Sequence, residues 1–207
     1  FYGPEIGQED MLAIWPSAYT NENILEFFNY SGAPGVYNKN KGGGVGLTWE
    51  QNGWGMSLNY TSDNATRSDH KYPYGGGMFT NGAGSNTTLQ VGYEKDIWGL
   101  AAAYSITNTR TRDIGFKASN ATPLSVEIQE IGELHSLGIS GWFTPQKNNF
   151  PTLSAGIGFS EVEQDESYSC ENDDRCNIYE SANFSSWSLA MQWEDLFKEG
   201  NSGGIAF

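Results

Sequence analysis

The 207-residue chain predicts an all-β fold: a transmembrane, antiparallel up-and-down β-barrel, incomplete at both ends, with one short helix in a loop. Three observations carry that expectation. Strand-like runs alternate large apolar residues with small polar ones rather than with charged ones. Short turns and long polar connections alternate between those runs. Aromatic residues gather at the ends of the runs, where a bilayer meets water.

Taken in order, residues 1–43 lack strand alternation and are expected to form a loop with a short helix. That helix is "NENILEFFNY", with Asn21 suited to cap it and Glu22 in its first turn. Barrel strands fill 44–207. In "GVGLTWEQNGWGMSLNYTS" one face holds Val45, Leu47, Trp49, Trp54, Met56, Leu58 and Tyr60, with a turn at 51–53. In "LQVGYEKDIWGLAAAYSIT" that face holds Leu89, Val91, Tyr93, Trp98, Leu100, Ala102, Tyr104 and Ile106 around a turn at 94–97. Leu137, Ile139, Gly141 and Phe143 precede a turn within 144–151, and Leu153, Ala155, Ile157 and Phe159 follow it. Trp187, Leu189, Met191 and Trp193 precede the turn at 195–201, and a last strand begins near Gly203.

The opposite face is small and uncharged. Thr48, Ser57, Asn59, Thr88, Gln90, Ser105, Ser140, Ser154, Ser188 and Gln192 are its lumen-facing candidates, and only Trp142 departs from the pattern. Long segments at 62–85, 108–132 and 161–184 are rich in Asp, Asn, Ser, Thr and Gly. Trp49, Trp54, Tyr93, Trp98, Phe143 and Trp193 adjoin the short turns as one aromatic girdle; Tyr60, Tyr104, Phe159 and Trp187 form a second at the other end. The alternative, a water-soluble sheet with aromatic cross-strand pairs, leaves the loop asymmetry without a cause.

Composition agrees. The net charge of −14 opposes a nucleic-acid role, which needs a basic face. No run of eighteen apolar residues exists, so a membrane would be crossed by strands rather than helices. The absence of an initial Met and of an export signal is expected of a piece of a longer exported chain.

The stretch "DMLAIWPSAYTNENILEFFNYSGAPGVYN", the Gly-rich strand after it, "GGGMFT" and the ending "WEDLFKEGNSGGIAF" together resemble the cyanobacterial outer-membrane porins, the carbohydrate-selective or iron-uptake family with an N-terminal surface-layer-homology domain. The resemblance covers essentially all 207 residues, which correspond to the barrel portion only of such a protein. It implies about sixteen strands, a homotrimer, a lipid bilayer and lipopolysaccharide as surroundings, and peptidoglycan attachment through a domain absent here. It also implies location in the cyanobacterial outer membrane, transport of carbohydrate or iron, and no cofactor.

On that strand count the strand at Gly44 is the sixth, and residues before it form a third outer loop that narrows the pore. Glu5, Glu9, Asp10, Glu22 and Glu26, with no basic residue among 1–38, are then the constriction and selectivity candidates. The acids of 161–184, from Glu161 to Glu180, form an acidic vestibule or simply a solvated loop. Cys170 and Cys176 bracket "ENDDR" and suit a local disulfide, while Glu171, Asp173 and Asp174 offer a calcium-type ligand set without a recognisable spacing. Arg110 and Arg112 are candidates for lipopolysaccharide phosphates. Glu133 and His135 share a face but lack a third ligand, so no metal site is expected; His70 falls in a loop. No nucleophile elbow, phosphate loop or catalytic set appears, and no enzyme activity is expected.

The function expected is passive diffusion of small hydrophilic solutes and ions, with cations preferred. The alternatives are a carbohydrate- or iron-specific channel, a tether between outer membrane and peptidoglycan, and a soluble sugar-binding β-protein.

Overall fold

The computed structural model describes residues 1–16, 33, 35–37, 41–62, 79, 84–108, 132–147, 150–164 and 181–207. The described fold is all-β. Nine strands form one antiparallel sheet in sequence order: β1 (Tyr2–Gly7), β2 (Lys41–Gln51), β3 (Trp54–Ser62), β4 (Ser85–Lys95), β5 (Trp98–Asn108), β6 (Gly132–Phe143), β7 (Thr152–Gln164), β8 (Ser181–Glu194) and β9 (Ser202–Ala206). Because every strand pairs with its neighbour in the chain, short connections at 52–53, 96–97, 144–151 and 195–201 share one edge of the sheet. The long ones, 8–40, 63–84, 109–131 and 165–180, share the other.

Local chemistry explains the tight edge. Asn52 and Gly53 adopt φ of 53° and 84°, the left-handed pair of a two-residue hairpin whose twist matches its strands. A Cβ at Gly53 would stand 2.6 Å from the Glu94 carbonyl oxygen, so the next hairpin also requires glycine there. In the β8–β9 turn the Asp195 carboxylate accepts the Gly200 N–H at 2.7 Å.

Three details differ from the sequence expectation. Residues 2–7, expected as loop, form β1 along the β2 edge. Its hexapeptide is too short for periodicity, and Pro4, which lacks an N–H, coincides with a register shift between Gly3 and Ile6. The β2 strand starts at Lys41 rather than Gly44. The acidic segment expected to begin at Glu161 begins later, since Glu161 lies within β7, opposite His135 on one side and Asn183 on the other. The expected helix in 21–30 and the Cys170–Cys176 pair lie outside the described residues. So do Glu22, Glu26, His70, Arg110, Arg112 and the acids of 165–180.

Burial runs opposite to that of a water-soluble sheet. The large apolar face is open: Leu47 is 72% exposed, Leu100 53% and Trp187 61%. Trp54, Met56, Leu89, Ile139, Ile157 and Leu189 share that exposure. Soluble monomers rarely display an apolar surface running across seven adjacent strands. The small polar face is closed, with Thr88, Gln90, Ser105 and Thr107 at 0%.

Candidate functional site

The polar face owes its burial to the chain's own N-terminal segment. After β1 the backbone makes a single 3-10 turn, Glu9–Met11, and continues to Pro16; residues 33 and 35–37 return along the same face. Side chains and backbone of this segment meet the wall on six strands, β2 to β7. Gln8 donates from Nε2 to Thr88 Oγ1 at 2.9 Å and to the Val36 carbonyl at 2.8 Å. Gln90 grips Ile14 twice: its Oε1 accepts the Ile14 N–H at 3.0 Å, and its Nε2 donates to the Ile14 carbonyl at 2.8 Å. The same Nε2 reaches the Tyr37 hydroxyl at 3.2 Å. Ser105 Oγ donates to the Gly35 carbonyl at 3.0 Å, and Thr48 Oγ1 to that of Met11 at 3.3 Å.

Glycines on the wall make this approach possible. A Cβ at Gly46 would lie 2.6 Å from Met11 Sδ, one at Gly55 2.8 Å from Ile14, and one at Gly138 2.9 Å from the Ala33 Cβ. The small face is therefore shaped to this segment. Burial pushes the Tyr37 hydroxyl above its ordinary pKa, with hydrogen bonds to Gln90 and Ser140 acting in the opposite direction.

Every lumen-facing candidate of the sequence analysis lies on this covered side. Ser57, Asn59, Thr88, Gln90, Ser105, Ser140, Ser154 and Ser188 are buried there; Thr48 and Gln192 are half-buried. The face is less uniform than expected. Leu134 and Val162, opposite each other on β6 and β7, are fully buried on it, and Phe184 stands opposite Ser160 on it. Trp142 is thus not the only large residue on that side. It packs over Gly99, with its Nε1 2.6 Å from where a Cβ would be.

Satisfaction of the wall is uneven. Beneath the same segment, Ser57 Oγ, both polar side-chain atoms of Asn59 and Thr61 Oγ1 have no hydrogen-bond partner. Each buried group left so costs about 1–3 kcal/mol. These four atoms belong to β3, beside the well-bonded β4; Gln192 Oε1 on β8 is unpartnered too.

Charge is arranged at both ends of the segment. Among the constriction candidates, Glu5 and Asp10 have exposed, described side chains: Asp10 lies on the segment and accepts the Gly7 N–H at 2.9 Å, whereas Glu5 falls in β1, a strand of the sheet, and not in the expected loop. Sequence reasoning passed over Glu50, Glu94 and Glu194. Each continues a polar-face column at the short-turn edge, on β2, β4 and β8, and each is exposed. A groove there lies between Ala13 and Ile14 on the segment and Glu50, Glu94 and Trp142 on the wall. Strict parity would have found them. Among the described strand residues no Lys or Arg takes a polar-face position: Lys41 and Lys95 fall on the other parity, and Lys95 Nζ sits 5.6 Å over the Tyr93 ring.

The open face carries the aromatic rows. Trp54 and Tyr93 meet edge to face with ring centres 5.1 Å apart, and Tyr93 and Trp98 follow at 5.5 Å. Trp49, Phe143 and Trp193 take the same face near the same edge. Toward the long-loop edge Tyr60 stacks on Phe79 at 4.4 Å. Glu133 and His135 do share this face: His135 Nε2 and Glu133 Oε1 are 2.9 Å apart, and His135 Nδ1 meets the Tyr104 hydroxyl at 2.6 Å. One ring nitrogen therefore binds a carboxylate and the other a phenol, which orients the ring without a metal. Comparison with protein-family models, with curated proteins and with solved structures finds no match for this chain.

Proposed function

We propose that the chain forms part of the wall of an outer-membrane β-barrel. That barrel is a passive channel for small hydrophilic solutes and inorganic ions, and the segment after β1, described over residues 8–16, 33 and 35–37, is its internal constriction. The observation that carries this reading is the inverted burial, an open apolar face behind a covered polar one. In water the open face would be costly at about 25 cal/mol per Å² of apolar surface; against acyl chains that penalty disappears. Strands β2 to β8 have 9 to 14 residues, enough for a tilted crossing that needs about 9–11. Aromatic rows at the ends of the apolar band suit the two interfaces.

The polar face supports diffusion rather than tight recognition. Its hydroxyls and amides hydrate a solute, and among the described strand residues Trp142 and Phe184, on opposite reaches of the sheet, make no continuous aromatic track for a sugar. Glu50, Glu94 and Glu194 at one mouth, with Asp10 on the segment, favour cations, since no Lys or Arg takes a polar-face position among the described strand residues. Homotrimer assembly, lipopolysaccharide contact and outer-membrane location go with this reading as proposals.

Fractionation followed by planar-bilayer recording tests it. Protein that partitions into detergent from envelopes, conducts in steps and reverses on the cation-selective side of a salt gradient is the expected result. Release into buffer without detergent, or a bilayer that stays silent, would refute it.

A further inference from the structure

The inserted segment treats two neighbouring strands differently, and the difference marks a path. On β4 its contacts are hydrogen bonds: Gln8 to Thr88 on one side of the 3-10 turn, Ile14 to Gln90 on the other. Between those two anchors the turn Glu9–Met11 rests on β2 and β3. There Met11, fully buried, seats on Gly46, whose ladder partner is Asn59. Asn59 is 1% exposed and leaves both its polar side-chain atoms unpartnered; Ser57 and Thr61, each 2% exposed, do the same on either side of it. Three alternate residues on the inner face of one strand thus present unmet hydrogen-bonding groups, and the thioether seated beside the middle one cannot meet them.

We propose that the permeation path runs along the inner face of β3, over Ser57, Asn59 and Thr61, and that the Glu9–Met11 turn is the flap that closes it. This rests on the channel reading. With the flap down, Met11 lies on Gly46 beside Asn59, and the polar groups of the strip go unmet. With the flap raised, water and the hydrogen-bonding groups of a small hydrophilic solute satisfy them. The hinges are Gln8 and Ile14, whose bonds to β4 hold the ends of the turn in either state. The turn itself is a weak element, being three residues long with no side-chain cap at Gln8.

The geometry supplies its own test. A Cβ on Gly46 lies 3.0 Å from that of Met11, and one on Gly138 lies 2.9 Å from that of Ala33, so a small shift brings either pair to disulfide spacing. In the full chain, Met11→Cys with Gly46→Cys staples the flap, whereas Ala33→Cys with Gly138→Cys staples the segment away from it. Oxidation of the flap pair should lower single-channel conductance several-fold, with recovery in reductant. Oxidation of the other pair should change conductance far less than oxidation of the flap pair, and reductant on the unmodified chain should leave it unchanged. A flap pair shown by mass to be cross-linked yet conducting normally would overturn the proposal. Asn59→Leu gives an independent arm, because an apolar partner under Met11 should hold the flap down and reduce conductance without any cross-link. Unaltered conductance there counts equally against it. A conducting native chain with both arms negative defeats the flap alone, while a silent native chain defeats the channel reading with it.

Discussion

Leu100 and Ala101 are consecutive in β5, yet one is 53% exposed and the other 2%. The same step separates Leu58 from Asn59 and Leu89 from Gln90, with the larger and more apolar residue open each time. In a soluble sheet the hydrophobic effect would set the opposite order. Here the polar side is closed by a segment of the same chain that meets it with backbone carbonyls, amide side chains and glycine-fitted methyls. The apolar side is left to the surroundings. Burial by itself is therefore a poor guide to hydrophobicity in this molecule; what fills the space on each side decides.

The largest effect should come from challenging the open side. Leu100→Arg should destabilise the lipid-embedded chain by about 2–4 kcal/mol, read from refolding into bilayers over a urea series. At an exposed position of a soluble sheet the same change stays within about 0.5 kcal/mol, and that result would break the contrast between the faces.

Next comes the closed side. Gln90→Leu removes three hydrogen bonds to the segment and strands the Ile14 N–H and carbonyl, at about 1–3 kcal/mol. Limited proteolysis should then cut N-terminal to Lys41 while β2 to β9 stay protected. Asn59→Leu, one strand away, should lower that cleavage, since its polar atoms bond nothing. Equal sensitivity at both positions would erase the distinction between β4 and β3.

A smaller effect follows from Tyr37. Its folded-state pKa is raised, so the neutral phenol is the form the segment's seat favours. The associated stability is complete below the unfolded value of 10.0 and declines as pH rises from there through the higher folded value. Protease access to the segment should therefore grow in that alkaline window for the native chain, and Tyr37→Phe should remove the pH dependence.

The smallest effect in energy is on ion selectivity. Replacing Glu50, Glu94 and Glu194 with Gln should move the reversal potential toward zero, and so should replacing Glu5, Glu9, Asp10, Glu22 and Glu26. Neutralising Glu161 to Glu180 should move it less, because exposed charges are screened over about 8 Å at physiological ionic strength. A larger shift from the distal acids would argue that the segment after β1 is not the constriction.

Strand existence and pairing order were legible because period-two alternation persists over 9 to 14 residues and the hairpins are tight. "QNGW" even specifies its turn, since Asn and Gly tolerate positive φ. The polar face was legible as a pattern but not as a surface. Glu50, Glu94 and Glu194 sit where the alternation runs into turn residues, and charged residues beside a turn look like solvated rims. Met11, Ile14 and Val36 look like members of any loop until the glycines opposite them show a fitted seat.

Alternation alone determined which side chains share a face, because a strand's side chains point oppositely at every step and one residue of slip would exchange them all. Sequence likewise determined the uneven connections, since long polar stretches cannot close a two-residue turn. Only the tertiary structure decided what lies against the polar face and how well it fits. Those contacts join residues 37 to 80 positions apart in the chain, such as Met11 with Thr48 and Gln8 with Thr88. No local periodicity encodes a hydrogen bond across that separation. It exists because the segment returns over the sheet and finds Gln90 able to bond it, and Asn59 not.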